Sequence, residues 1–161
     1  MSQSAKAIKI VSDNRKASFL YEILEKYEAG IALYGPEIKS VKTGKVNISD
    51  GYVIIKNEEA LLLNVHISPY TQANRENKDP VRTRSLLLHK HEILRLLGKV
   101  KEKNLTIIPL KMYLTHGKAK IEIGLAKGKK LYDKREDLKK KDQTREIERA
   151  LKSHHKKPMV V

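Results

Sequence analysis

The chain has 161 residues, is 40% hydrophobic and 33% charged, and carries 34 Lys+Arg against 19 Asp+Glu for a formal net charge of +15. The length suits one core plus an extension, and a charge above the roughly 2–8 of a small soluble domain points to a polyanionic partner, nucleic acid first and an anionic membrane surface second. The absence of cysteine excludes a disulfide framework and a Cys-based zinc site, and no apolar run nears the about 20 residues of a membrane span.

Three zones are expected: residues 1–15 as a basic, weakly patterned N-terminal arm, 16–127 as the folded body, and 128–161 as a basic tail. Residues 19–27 alternate imperfectly as a strand that 31–34 continue, with a bulge or bend at Gly30. Residues 36–41 predict a short helix, with Pro36 at its first position and Gly44 just past its last turn. Tyr52–Lys56 and residues 60–65 predict a hairpin through Asn57-Glu58-Glu59. Residues 68–84 are poor in apolar side chains and read as a long loop, either functional or a surface excursion. A long helix is predicted from Ser85 as N-cap through Leu86, Ile93, Leu97 and Val100, ending between Gly98 and Asn104. Residues 105–114 and 118–125 flank Thr115-His116-Gly117 as a second hairpin. The expected fold is mainly β: an OB-type antiparallel β-barrel with a few flanking helices.

The tail stands apart from this pattern. Residues 127–161 hold 13 Lys+Arg and 6 Asp+Glu, a net of +7, so the other 126 residues carry +8. Leu131, Leu138, Ile147 and Leu151 are too sparse for a core face. The helix-spaced pairs Glu136–Lys140, Asp137–Lys141 and Glu148–Lys152 favour a helix by only tenths of a kcal/mol each. The tail is therefore expected to be disordered when free and to become helical against an anionic groove.

Catalytic signatures are absent. His66, His89, His91, His116, His154 and His155 are scattered, and His89 and His91 point to different helical faces. There is no HExxH, no phosphate-cradling glycine loop and no nucleophile elbow at Ser40. We expect neither an enzyme nor a cofactor. With one Phe, no Trp and seven Tyr, stacking on an aromatic platform is not the expected mode. Basic groups that read phosphate and RNA shape fit better: Arg15, Lys16, Lys39, Lys42, Lys45, Arg75, Arg82, Arg84, Lys111, Lys127, Lys129 and Lys130. Each alone is equally explained as a solvated charge. Arg82 and Arg84 share a face of an extended segment and offer two phosphate forks.

Several ordered motifs then converge. Asn14-Arg15-Lys16-Ala17, Glu28-Ala29-Gly30-Ile31-Ala32-Leu33, Gly35-Pro36-Glu37-Ile38-Lys39-Ser40 and Gly44-Lys45-Val46-Asn47-Ile48-Ser49-Asp50 come first. Asp79-Pro80-Val81-Arg82-Thr83-Arg84-Ser85-Leu86-Leu87-Leu88, Gly124-Leu125-Ala126-Lys127-Gly128-Lys129-Lys130 and Asp133-Lys134-Arg135 follow. Over about residues 8–152 the chain resembles the small protein B, or SsrA-binding protein, family. The resemblance implies an OB-type barrel in the cytoplasm that binds the tRNA-like domain of transfer-messenger RNA. It implies delivery of that RNA to the 70S ribosome stalled without a stop codon, with elongation factor Tu engaged indirectly through the aminoacylated RNA and with no membrane. The tail would occupy the small-subunit decoding centre and the empty message channel.

The expected RNA-binding set joins motif positions to the basic residues above: Asn14, Arg15, Lys16, Glu28, Lys39, Lys45, Arg82, Arg84, Leu87, His89, Lys127, Gly128, Lys129 and Lys130. Within it, Glu28, Leu87 and His89 would meet the tRNA-like domain; relatives often carry Asn at the last position. Tyr132, Asp133, Lys134 and Arg135 match the decoding-centre element, with Tyr132 where His is common and Asp133 orienting Lys134 or Arg135 or accepting from a base amino or sugar hydroxyl. Two competing readings are a constitutive rRNA-binding OB protein and a nuclease. The nuclease needs a metal-binding carboxylate cluster that the sequence does not display.

Overall fold

A computed structural model describes residues 7–154, without the side chains of Asn74, Leu131, Tyr132 and His154. The chain divides into two units, Met1–Gly128 and Lys129–Val161.

The first unit is mainly antiparallel β with a few helices, as expected. Its elements are β1 (Ile8–Asp13), α1 (Ala17–Leu20), β2 (Tyr21–Ile31), α2 (Gly35–Lys42), β3 (Val46–Asn47), β4 (Tyr52–Lys56), β5 (Glu59–Leu63), β6 (His66–Ile67), β7 (Arg84–Leu87), α3 (Lys90–Lys103), β8 (Thr106–Thr115) and β9 (Lys118–Gly128). From β8 the pairing passes through β4, β5, β7, β2 and β9 and returns to β8. β1 and β4 share one edge of β8, at residues 111–115 and at Ile107, while β9 lies along the other. β3 and β6 form a separate small pair.

Both hairpins turn on two residues rather than three, because Glu59 and Thr115 are already paired in strands. Asn57 and Glu58 have φ of 50° and 61°, and His116 and Gly117 have 50° and 74°. Positive φ at both central positions is what joins right-twisted strands.

Bulges curve the long strands. β2 shifts register at Leu24 and β8 at Leu110, beside Pro109, which supplies no ladder N–H. The two sites meet at Gly124, where an added Cβ would lie 3.0 Å from Leu110 and 3.1 Å from Ile23. The bend expected at Gly30 falls instead at Leu24. The core, with Val41, Ile48, Leu62, Val65, Leu96, Met112, Ile121, Ile123 and Leu125 fully buried, is drawn from strands, α2, α3 and the connections after β3 and β5.

Three further expectations are corrected. Residues 8–13, placed in an arm, are a strand paired with β8. Ser85 does not cap a helix: Ser85-Leu86-Leu87 belongs to β7, with Leu86 buried and Leu87 exposed in period two. The helix starts at Lys90, after His89, whose backbone N–H donates to the Glu92 carboxylate at 3.1 Å. The 68–84 stretch is not structureless either. It carries a 3₁₀ turn over Thr71–Glu76, and the Asn77 side chain closes on the Tyr70 backbone with two 2.9 Å bonds.

The second unit is one helix, α4 (Leu131–His154). Its Leu138, Ile147 and Leu151 are 47%, 61% and 65% exposed, which agrees with the sparse apolar pattern. Asp137 contacts the Lys129 ammonium within the same unit. No helix among the described residues is long and apolar enough to cross a membrane.

Candidate nucleic-acid interface

One row of directly opposed residues crosses four strands: Tyr113 on β8 faces Lys120 on β9, Lys120 faces Gly30 on β2, and Gly30 faces Leu87 on β7. Opposed residues share a sheet face, so all four lie on one side. Glu28 joins them, two residues before Gly30 on the same strand. A Cβ on Gly30 would stand 3.2 Å from Leu87 Cβ, so glycine is what lets the leucine lie over β2. Leu87 is 64% exposed at this polar rim.

β7 ends at Leu87 and the chain turns through Leu88 and His89 into α3. The His89 ring stacks on His91 at 5.5 Å between centroids. A cleft of about 390 Å³ results, lined by Glu28, Gly30, Leu87, Leu88, His89, Glu92 and Lys120. Glu28, Leu87 and His89, drawn from two distant stretches of sequence, thus share one cleft.

Hydrogen bonds hold this cleft's carboxylate. Lys120 Nζ donates to Glu28 Oε1 at 2.7 Å, and the Tyr113 hydroxyl donates to Oε2. Burial of the Tyr113 ring, and then the Glu28 carboxylate beside it, push the phenol's pKa up, so it stays a donor. Below the cleft, Glu25 accepts from Lys99 of α3 and from Tyr27, 2.6 Å away, with Arg95 at 3.8 Å. Lys99 and Tyr27 hold the Glu25 carboxyl below its usual range, and burial followed by the Glu25 bond raises Tyr27 to about 12. This network ties α3, and so His89 at its start, to β2.

A second polar cluster centres on Glu37 of α2. Arg82 Nε donates to it at 2.8 Å and Arg84 Nε at 3.0 Å. Arg84 is fully buried and also donates to the carbonyls of Val65 at 2.8 Å and Pro80 at 3.0 Å. Burial pushes the Glu37 carboxyl up, but the bonds from Arg82, the Tyr34 N–H and Arg84 outweigh it and hold the pKa low. The phosphate role expected for Arg84 is therefore corrected: its guanidinium meets protein on all sides. Arg82 does share that face, but it too turns to Glu37, with its outer surface 4.6 Å over the exposed Tyr34 ring.

Asn14 is also corrected. It is 8% exposed, its side-chain N–H donates to the Pro109 carbonyl at 2.9 Å and its backbone N–H to Leu110 at 2.8 Å. It secures the β8 bulge. Arg15 and Lys16 are exposed beside it, as are Lys39, Lys45, Lys127 and Gly128 on the same unit. Lys39 Nζ lies 5.4 Å over Tyr70. On the second unit, Lys130, Asp133 and Arg135 are exposed, Lys134 is half-buried, and the Lys129 side chain is 19% exposed. The Tyr132 side chain lies outside the described residues. Consecutive helical positions diverge, so Asp133, Lys134 and Arg135 face different directions.

Sequence reasoning missed Tyr113, Lys120 and Glu37 as site or support residues. The two-residue turn at His116-Gly117 does place Tyr113 opposite Lys120, but only the β2–β9 register brings either to Glu28. A larger, mostly apolar groove of about 890 Å³, lined by Leu20, Tyr21, Tyr52, Ile54 and Leu97 among others, shares no residue with the cleft. Among the described residues no group of three or more His, Asp or Glu could hold a metal ion.

Comparison with known proteins shows the family. The SmpB protein family model matches residues 11–153. The SsrA-binding protein of Nostoc punctiforme is 55% identical over 155 residues, covering 96% of this chain and all of the relative. That of Carboxydothermus hydrogenoformans is 58% identical over 147 residues, covering 91% and 99%. A chain in the solved structure "tmRNA-SmpB: a journey to the center of the bacterial ribosome" is 49% identical with a TM-score of 0.64, over 78% of this chain and 92% of that one. With the family model matched from the first strand to the end of the tail helix, the chain belongs to the SmpB protein family.

Proposed function

We propose that this chain binds transfer-messenger RNA and brings it to stalled ribosomes for trans-translation, holding the tRNA-like domain at the Glu28 cleft. The observation that carries the site is the meeting of Glu28, Leu87 and His89 in one cleft. A carboxylate accepts from base amino groups and ribose hydroxyls, an imidazole does the same or donates, and an exposed leucine covers an unstacked base or sugar. The surrounding lysines add the phosphate attraction that a +15 chain brings to any RNA.

The six-strand circuit is read as an OB-type barrel, on the support of its closed pairing. The tail acts separately. Tyr132, Asp133, Lys134 and Arg135 address the small-subunit decoding centre, and the following helix lies in the empty message channel. With Leu138, Ile147 and Leu151 of α4 exposed, little apolar burial holds the helix, so the free tail exchanges with disordered states until the ribosome supplies a surface. Elongation factor Tu is engaged only through the aminoacylated RNA, and the chain works in the cytoplasm without catalysing a reaction of its own.

The test is sequencing of the RNA that co-purifies with wild type and with a Glu28→Ala, His89→Ala double variant. One dominant tRNA-like RNA with the first and its loss with the second is expected. Equal recovery by both proteins overturns the site, and recovery of rRNA alone overturns the function.

A further inference from the structure

We propose that Tyr113 and Lys120 belong to the RNA site: Tyr113 positions the Glu28 carboxylate, and Lys120 both orients it and meets an RNA phosphate.

The inference deepens the reading of the Glu28 cleft and rests on it. Its basis is the row Tyr113–Lys120–Gly30–Leu87, which runs unbroken across four strands. Neighbouring strands lie about 4.8 Å apart, so Lys120 stands one strand from Gly30 and two from Leu87. It is already in the cleft lining. A Glu28 side chain on an open strand would sample many rotamers. Here each carboxylate oxygen is held by a different strand: Oε1 by Lys120 of β9 and Oε2 by Tyr113 of β8.

A purely structural role explains these contacts poorly. The Lys120–Glu28 pair is 36% and 54% exposed, and exposed pairs add little stability. Tyr113 is 8% exposed, so its ring fills space as a phenylalanine would. Its hydroxyl reaches past Lys120 of β9, the residue opposite it, to end on Glu28 of β2. A lysine ammonium has three donors, and one directed at Glu28 leaves the group able to bridge to an RNA phosphate. A fixed carboxylate beside that ammonium then presents an acceptor and a cation at a set spacing. Such a pairing selects an RNA donor that lies next to a backbone phosphate.

The experiment is equilibrium binding of the full chain to transfer-messenger RNA across a salt series, with melting curves for each variant. Glu28→Gln tests the cleft itself and should weaken binding. Tyr113→Phe should weaken it about 5- to 20-fold without changing the salt slope or the melting temperature. Lys120→Gln should weaken binding and reduce the slope by about one unit, the signature of one lost phosphate contact, while Lys120→Arg keeps the slope. Tyr113→Phe added to Glu28→Gln should cost nothing more, since the hydroxyl acts through the carboxylate. If Glu28→Gln weakens binding but Tyr113→Phe and Lys120→Gln bind as wild type, the inference fails and the cleft stands. If Glu28→Gln itself binds as wild type, the cleft reading fails first.

Discussion

Arg84 and Glu37 face each other where solvent does not reach, with the arginine Nη2 2.9 Å from Glu37 Oε1 and its side chain 0% exposed. The glutamate comes from the start of α2 and the arginine from the first residue of β7. Their contact therefore clamps the long connection between β6 and β7 onto the body. Buried pairs of this kind are poor stabilisers as a whole but costly to break from one side.

Removing one partner is the first prediction. Arg84→Ala takes one of three partners from the buried Glu37 carboxylate and a donor from the Val65, Arg82 and Pro80 carbonyls, of which Pro80 keeps the Ile67 N–H, and should cost about 3–5 kcal/mol. Urea unfolding measures it. The slope of RNA affinity against salt should not change in an Arg84→Gln variant measured where it remains folded. A slope lowered by one unit would mean that Arg84 reaches phosphate after all.

Acid should act through the same carboxyl. Glu37 and Glu25 are both held below their ordinary 4.5, so the folded state binds protons less readily than the unfolded chain. Their contribution to stability is complete above about pH 4.5 and is lost as pH falls through the lower folded values. Unfolding free energy should drop below pH 4.5 in the wild type. In Glu37→Gln the acid limb should be shallower. An acid limb of the same slope in wild type and variant would place the linkage elsewhere.

Asn14 should behave as a structural residue. Asn14→Ala leaves the buried Pro109 carbonyl without its donor and should cost roughly 1–3 kcal/mol in chemical denaturation. The exposed neighbours Arg15 and Lys16, changed together to Ala, should leave stability within about 0.5 kcal/mol. They should lower the salt slope of RNA binding by up to about two units.

Truncation after Lys130 removes α4. RNA affinity should be largely kept and tagging of stalled peptides abolished, as read by accumulation of tagged product in a reconstituted translation reaction. Full tagging by the truncated chain would remove the decoding role from Tyr132 to Arg135.

Much of the strand and turn pattern was legible because it is local. Asn57, His116 and Gly117 tolerate positive φ, and apolar alternation lies on either side of both turns. Pro36 and Gly44 bracket α2 for equally local reasons. The Ser85–Leu87 error has a local cause as well. Leu86 and Ile93 are seven apart, which two helical turns match, and nothing nearby reveals that Leu86 pairs with Ala60 and Ile31 instead. The same holds for residues 8–13, whose alternation is weak because the side chains at 8, 9 and 10 are all exposed and only the ladder to β8 defines the strand.

Sequence by itself determined that this is a basic, mainly β RNA-binding chain with a tail that has no core, because charge balance, apolar period and ordered motifs are properties of the string. The resemblance pointed to Glu28, Leu87 and His89, and the structure brings these three into one cleft. Only tertiary structure decided which basic residues are free to meet RNA. Arg84 and Asn14 looked like ligands of a polyanion and are internal braces, since burial turns the Arg84 guanidinium and the Asn14 side-chain N–H onto protein acceptors. Tyr113 and Lys120 looked like ordinary strand residues. A register between strands far apart in sequence sets them against Glu28, and registers of that kind follow from the packing of the whole sheet.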